Sequence, residues 1–207
     1  MSLNQLYLSR LILNPRSKEA RRDLANPYDL HRTLSRAFAP DEETTPERFL
    51  WRLETTVNWQ QPQLLVQSQT AGNWARLFAL PNYLQGEVQE KSFTPDQWLE
   101  VGATRRFRLQ ANPTVTRDGK RRGLCNEKEQ LAWLARQGER HGFSLAHTLV
   151  SNSVMLYGRK GENRLSVLTA TFEGYLSVAD PDALRAALCD GIGPAKSLGC
   201  GLLSLGK

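Results

Sequence analysis

Tyr28, His31, Arg32, Ser35 and Arg36 crowd one short stretch of the chain, and their side chains suit acid–base work beside an anion. An imidazole has an unperturbed pKa of about 6.5, so near neutrality it can take or give a proton. A phenol can orient that ring, and guanidinium groups can neutralise negative charge. The competing reading of His31 is a half-buried polar residue that has simply found a partner. His31 is the best functional candidate in the sequence.

A helix predicted within the stretch 25–38 positions this cluster. Asn26 is expected to cap it, its side-chain oxygen accepting from first-turn N–H groups. Pro27 falls at the first helical position, where its missing N–H costs nothing. Leu30, Leu34, Ala37 and Phe38 form an apolar stripe that must face a core. Tyr28, Arg32 and Ser35 take the opposite side, and His31 stands at the border, one turn from both Tyr28 and Ser35.

The rest of the chain supplies the frame. Residues 4–13 read as a strand ended by Asn14-Pro15, and a basic link with Arg16, Lys18, Arg21 and Arg22 leads into the helix. After a polar loop over 42–46, strands are predicted at 48–55 and 63–70, separated by a turn over 58–62. A short helix at 74–80 and a strand at 87–93 follow. That order is the split βαβ, ferredoxin-like pattern. A second pass begins near Trp98: a strand at 104–110, a basic loop at 117–122, and a helix at 126–141 ended by Gly142. Strands at 143–157 and 164–172 are joined by a turn at 158–161. A helix starts at Asp180-Pro181, and a glycine-rich connection over 191–201 leads to a last strand at 202–205. The expected architecture is α+β, two tandem ferredoxin-like (βαββαβ) domains over residues 1–94 and 95–207, repeated in topology but not in residue identity.

Composition narrows the function classes. A net charge of +6, from 27 Lys and Arg against 21 Asp and Glu, favours a polyanionic partner. Most of the basic residues are arginine, which suits bidentate contacts to phosphate. They cluster at Arg21 and Arg22, at Arg105 to Arg108, at Arg117, Lys120, Arg121 and Arg122, and at Arg159 and Lys160. One cluster is usually a solvated surface; several together favour a surface that tracks phosphates. Cys125, Cys189 and Cys200 make no C-x-x-C and no zinc spacing with the histidines, so reduced thiols and no metal site are expected. With no secretory leader and no run of about 18 apolar residues, the expectation is a cytoplasmic protein without a membrane partner.

Two features carry open readings. Gly191 to Gly201 contains Lys196-Ser197 after a glycine cluster, but Ala195 precedes the lysine where a P-loop has glycine, and the loop runs from helix to strand. It is either a loop whose N–H groups approach another chain, with Lys196 on a phosphate, or a tight helix-to-strand return. Trp51, Trp59, Trp74, Trp98 and Trp133 can stack on bases in principle, but their positions favour the core.

Asn26-Pro-Tyr-Asp-Leu-His-Arg-Thr-Leu-Ser35, Phe107-Arg-Leu-Gln-Ala-Asn-Pro113, Phe172-Glu-Gly174 and Gly191 to Leu205 occur in that order. In this the chain resembles the CasE family, the endoribonuclease subunit of type I-E CRISPR Cascade, over nearly its whole length. The resemblance implies binding of the CRISPR repeat stem-loop RNA, metal-independent cleavage leaving a cyclic phosphate, no small-molecule cofactor, and association with other Cascade subunits. It implies His31 as the catalytic histidine, with Tyr28 beside it. Where some members carry a lysine, this chain has Arg36, which keeps the charge but does not readily release a proton. The family's basic RNA-reading hairpin corresponds to the turn at Arg159 and Lys160. Metal-free cutting requires the 2′-hydroxyl to attack the adjacent phosphorus while the 5′-oxygen leaves. His31 can act there as base or acid, and Arg32 or Arg36 can offset charge on the phosphate. A non-catalytic RNA-binding subunit and a metal-dependent nuclease are the alternatives.

Overall fold

The structure, a computed structural model, describes residues 5–41, 43–54 and 60–206. Asn4, Glu42, Thr55, Asn58 and Trp59, on which parts of the expected strand, loop and turn boundaries and one tryptophan reading fall, lie outside the described residues. The chain is mixed α+β and divides into two compact units. One comprises Met1–Thr94, Tyr157–Leu165 and Ser197–Gly199; the other comprises Pro95–Leu156, Ser166–Lys196 and Cys200–Lys207.

In the first unit the order is β1 (Leu6–Ile12), α1 (Lys18–Ala25), α2 (Pro27–Ser35), β2 (Phe49–Glu54), β3 (Gln63–Ser68), α3 (Ala75–Phe78) and β4 (Gln89–Phe93). The strands form one antiparallel sheet in the order β2-β3-β1-β4. Alternation along β2 puts Phe49 and Trp51 on the same face. There they join Leu30, Leu34 and Phe38 in a core that also holds Leu11, Leu64 and Trp74.

The stretch read as a basic link is in fact the helix α1. Ala20 and Asp23 are buried on one of its faces, and Asp23 accepts from Arg22 and from the Tyr83 hydroxyl at 2.7 Å. A buried carboxylate interrupts the apolar periodicity of this helix. Helix α1 stops at Asn26 (φ −138, ψ 103) because the ring of Pro27 drives the preceding residue out of helical conformation.

The second unit runs β5 (Thr104–Ala111), β6 (Thr114–Arg117), β7 (Lys120–Gly123), α4 (Glu127–Arg140), β8 (Phe143–Lys160), β9 (Asn163–Val178), α5 (Pro181–Asp190) and β10 (Leu203–Gly206). Its main sheet has the order β10-β5-β9-β8. In each unit, then, the first strand lies between the third and fourth, with the second at an edge. Asn126 caps α4 by accepting from Lys128 and Glu129 N–H, and Asp180 caps α5 from Asp182 and Ala183.

Two expectations are corrected here. The basic loop at 117–122 is a hairpin, β6–β7, turning at Asp118 (φ 51) and Gly119 (φ 70), the Asp-Gly signature of a tight turn. The turn placed at 158–161 lies further on, at Gly161 and Glu162, because β8 continues through Gly158, Arg159 and Lys160.

Candidate active site and basic surfaces

Helix α2 carries the cluster. His31 is half-buried, its ring stacked on Phe49 with centroids 4.9 Å apart, and Phe49 stacks in turn on Phe38 at 4.6 Å. The indole Nε1–H of Trp51 donates to His31 Nδ1 at 3.2 Å. Burial lowers the pKa of His31 below the usual histidine value and so favours the neutral ring. The Ser35 hydroxyl donates to the His31 backbone carbonyl at 2.8 Å and so closes the helix instead of touching the imidazole. Arg32 pairs with Asp29 at 3.2 Å while its side chain stays 63% exposed. Arg36 is exposed at the helix end, and Tyr28 is half-buried with the Lys160 ammonium 5.5 Å from its ring centroid.

Asn26 does not cap α2 through its side chain. Its Nδ2 donates to Asp29 Oδ2 at 2.7 Å and to the Arg159 carbonyl at 3.0 Å, and its Oδ1 accepts from the Arg159 N–H at 3.0 Å. One amide thus answers both backbone groups of Arg159, as a neighbouring strand would. Gly158 makes room for it, since a Cβ there would stand 2.9 Å from Asn26 Oδ1. This contact brings Arg159 and Lys160 to the start of α2. A cleft of about 300 Å³ lies beside it, lined by Asn26, Tyr157, Gly158, Arg159 and Arg164.

Arg21 is exposed and donates to the Arg16 carbonyl, whereas Arg22 spends Nε and Nη2 on Asp23 at 2.9 and 2.7 Å and remains half-exposed. Arg117, Lys120, Arg121 and Arg122 are exposed on β6–β7. Arg121 also lines a cleft of about 460 Å³ with Trp133, Arg136, Arg140, Gly193 and Pro194. Arg136 and Arg140 escaped the reading of the sequence, although their four-residue spacing places them on one helical face. Lys196 belongs to the second unit, where with burial it lowers the pKa of His141.

The glycine-rich segment is a tight return. Gly191, Ile192 and Gly201 donate their N–H groups to Ala187, Gly201 and Gln110 carbonyls at 2.7–2.9 Å. Gly193 and Gly199 approach Trp133 and Trp51 more closely than any Cβ would permit without a shift. The cysteines are unbridged, and burial pushes the Cys200 thiol up to about 12. Among the described residues, no three or more His, Cys, Asp or Glu stand close enough to hold a metal ion, and no helix is long and apolar enough to cross a membrane.

Residues 6–207 match a family model described as CRISPR associated protein. The chain is 40% identical to the CRISPR-associated endoribonuclease Cse3 of Thermus thermophilus, with 97% of this chain and 99% of that protein covered. It is 32% identical to the CRISPR system Cascade subunit CasE of Escherichia coli, over 97% and 98% of the two chains. A solved structure of T. thermophilus Cse3, bound to an RNA representing a pre-cleavage complex, superposes with a TM-score of 0.88 at 42% identity, covering 98% of this chain and 100% of that one.

Proposed function

Because the chain belongs to the CRISPR-associated Cse3/CasE endoribonuclease family, we propose that it binds the stem-loop of a CRISPR repeat and cleaves the precursor RNA without a metal ion. The 2′-hydroxyl attacks the adjacent phosphorus, the 5′-oxygen leaves, and a 2′,3′-cyclic phosphate remains on the upstream product. A proton leaves the 2′-hydroxyl and one is delivered to the 5′-oxygen, and His31 mediates one of these transfers. Tyr28 orients the imidazole or the phosphate, and Arg32 and Arg36 offset charge on the phosphate oxygens. Arg159 and Lys160 hold the RNA beside α2. Arg21, Arg22, Arg117, Lys120, Arg121, Arg122 and Lys196 extend the phosphate contacts, Arg22 only with the part of its guanidinium that Asp23 leaves open. The processed RNA stays bound, and the protein acts as a subunit of Cascade in the cytoplasm.

One observation carries this reading: a half-buried imidazole whose helix also presents a phenol and an exposed arginine, with lysine and arginine docked at its start. That a relative has been captured with a pre-cleavage RNA, and that another is named a Cascade subunit, supports the substrate and the assembly. We read both units as ferredoxin-like, since each βαββαβ order closes its sheet with the first strand between third and fourth. We read the domain boundary between Thr94 and Pro95, with Tyr157–Leu165 and Ser197–Gly199 packing into the first unit.

The test is cleavage of repeat RNA in excess EDTA, with a second RNA carrying a single 2′-deoxy nucleotide at the cut site. Cutting of the first RNA alone is expected. His31→Ala should lose about 10²–10⁴-fold in rate while nearly keeping its RNA affinity. Bound but intact RNA would instead mark a non-catalytic binding subunit, and activity restored only by Mg²⁺ or Mn²⁺ would mark a metal-dependent nuclease.

A further inference from the structure

A line of contacts from Gly199 ends on His31. The Trp51 indole is buried, and its N–H, which can only donate, reaches His31 Nδ1 at 3.2 Å. Gly199, at φ +83, lies against the indole so closely that a Cβ would stand 2.8 Å from its ring. Phe49 covers the face of the imidazole. Plane and edge of the His31 ring are thus both set by β2.

We infer that Trp51 is a positioning residue: by donating to Nδ1 it keeps the hydrogen of neutral His31 on Nε2 and makes Nε2 the nitrogen that meets the RNA. This rests on the reading of His31 as the cleavage residue. In a neutral imidazole one nitrogen bears hydrogen and the other a lone pair, so the partner of one decides the state of the other. Moving the hydrogen to Nδ1 would set two donors face to face. The worth of one hydrogen bond disfavours that tautomer by about five- to tenfold. Neutral His31 therefore approaches the phosphodiester as a hydrogen-bond donor, toward a phosphate oxygen or the leaving 5′-oxygen. To serve as base for the 2′-hydroxyl it would first have to give up Trp51.

Protonating the ring also uses Nδ1, so the indole opposes the imidazolium in the same direction as burial. On the histidine's own helix Asp29 is engaged with Arg32 and Asn26 and Arg36 is exposed at its end, while Lys160 stands over Tyr28. Strand β2 meets the imidazole with Phe49 and Trp51, neither of them titratable.

The experiment is long-range ¹H–¹⁵N correlation on the full-length protein with ¹⁵N-labelled histidine. With three histidines in the chain, His31→Ala assigns the His31 signals by difference. A lone-pair-bearing Nδ1 and a protonated Nε2 at neutral pH are expected; a protonated Nδ1 overturns the inference. Trp51→Phe keeps an aromatic ring in the core and removes the N–H. It should mix the tautomers and raise the His31 pKa, moving the cleavage–pH profile upward with it. A folded Trp51→Phe protein with wild-type tautomer and profile overturns the inference as well, and if that variant does not fold the wild-type spectrum decides. If His31→Ala cuts at wild-type speed, the cleavage assignment falls, while the spectrum still judges the tautomer independently.

Discussion

Replacing Asn26 with alanine should release the tip of the β8–β9 hairpin from the start of α2. Two hydrogen bonds hold it, Asn26 Nδ2 to the Arg159 carbonyl and Arg159 N–H to Asn26 Oδ1, each 3.0 Å long. At a net value of about 1 kcal/mol each, partly regained by water at this exposed place, their loss costs about 1–2 kcal/mol. That lowers the ratio of docked to undocked hairpin about 5- to 30-fold. Hydrogen exchange at the Arg159 amide is the direct assay, because its acceptor is the deleted side chain itself. Asn26→Asp should not rescue protection: it keeps an acceptor, but it turns the Nδ2 donor into an oxygen facing the Arg159 carbonyl and adds a charge beside Asp29. Gly158→Ala should behave similarly, since its Cβ would press on Asn26 Oδ1 at 2.9 Å. An Arg159 amide exchanging at the same rate in wild type and Asn26→Ala would refute the reasoning.

Three further outcomes are expected. Tyr83→Phe removes the hydroxyl that donates to the fully buried Asp23 carboxylate at 2.7 Å, and should cost about 1.5–3 kcal/mol, seen as a lower urea midpoint with an unchanged slope. Gly174→Ala would place a Cβ 1.9 Å from the His147 carbonyl oxygen on β8, at a φ of +152. Backbone cannot yield cheaply there, and a loss of about 1–3 kcal/mol or more should appear in thermal unfolding; a wild-type melting temperature would contradict this. Burial lowers the pKa of His31 in the folded state, so the unfolded chain takes the proton first as pH falls. The contribution is therefore intact above the unfolded value of about 6.5 and is lost as pH drops from there through the folded value. His31→Gln should narrow the stability gap between pH 7 and pH 5, as judged by denaturation at both, and a gap of unchanged size would remove His31 as its source.

Much of the fold was legible because its elements follow local rules. Asn126 and Asp180 cap their helices as residues of their types do, and Phe49, Trp51, Leu64 and Val66 recur at every second position and so reach the same core. Helix α1 was illegible for a specific reason. It buries Asp23 where an apolar residue is expected, and the partners that make this tolerable are Arg22 next door and Tyr83, sixty positions away. The end of β8 was also lost. Gly158, Arg159, Lys160 and Gly161 look like a turn, yet Gly158 is a strand residue kept small for Asn26, and only Gly161 (φ 59) turns the chain.

The site divides along the same line. His31, Tyr28 and the arginines of α2 announce themselves by type and spacing, whereas what determines their chemistry does not. Asn26 before Pro27 carries every mark of a helix cap, and in a chain without the hairpin it would be one. Here the Arg159 backbone offers a donor and an acceptor together, and an amide satisfies both while a capping bond would use only its oxygen. Trp51 gives no signal, because a tryptophan in an alternating strand reads as core, and core it is. Its one polar atom gains meaning only when β2, at the sheet edge beside β3, turns that N–H toward α2. An indole buried without a partner would be destabilising, and so would an imidazole nitrogen. By pairing, the two groups remove both penalties while leaving the opposite nitrogen of His31 uncommitted among the described residues. The demand that buried polar atoms be satisfied, a matter of stability, thus fixes which end of the ring is left for chemistry.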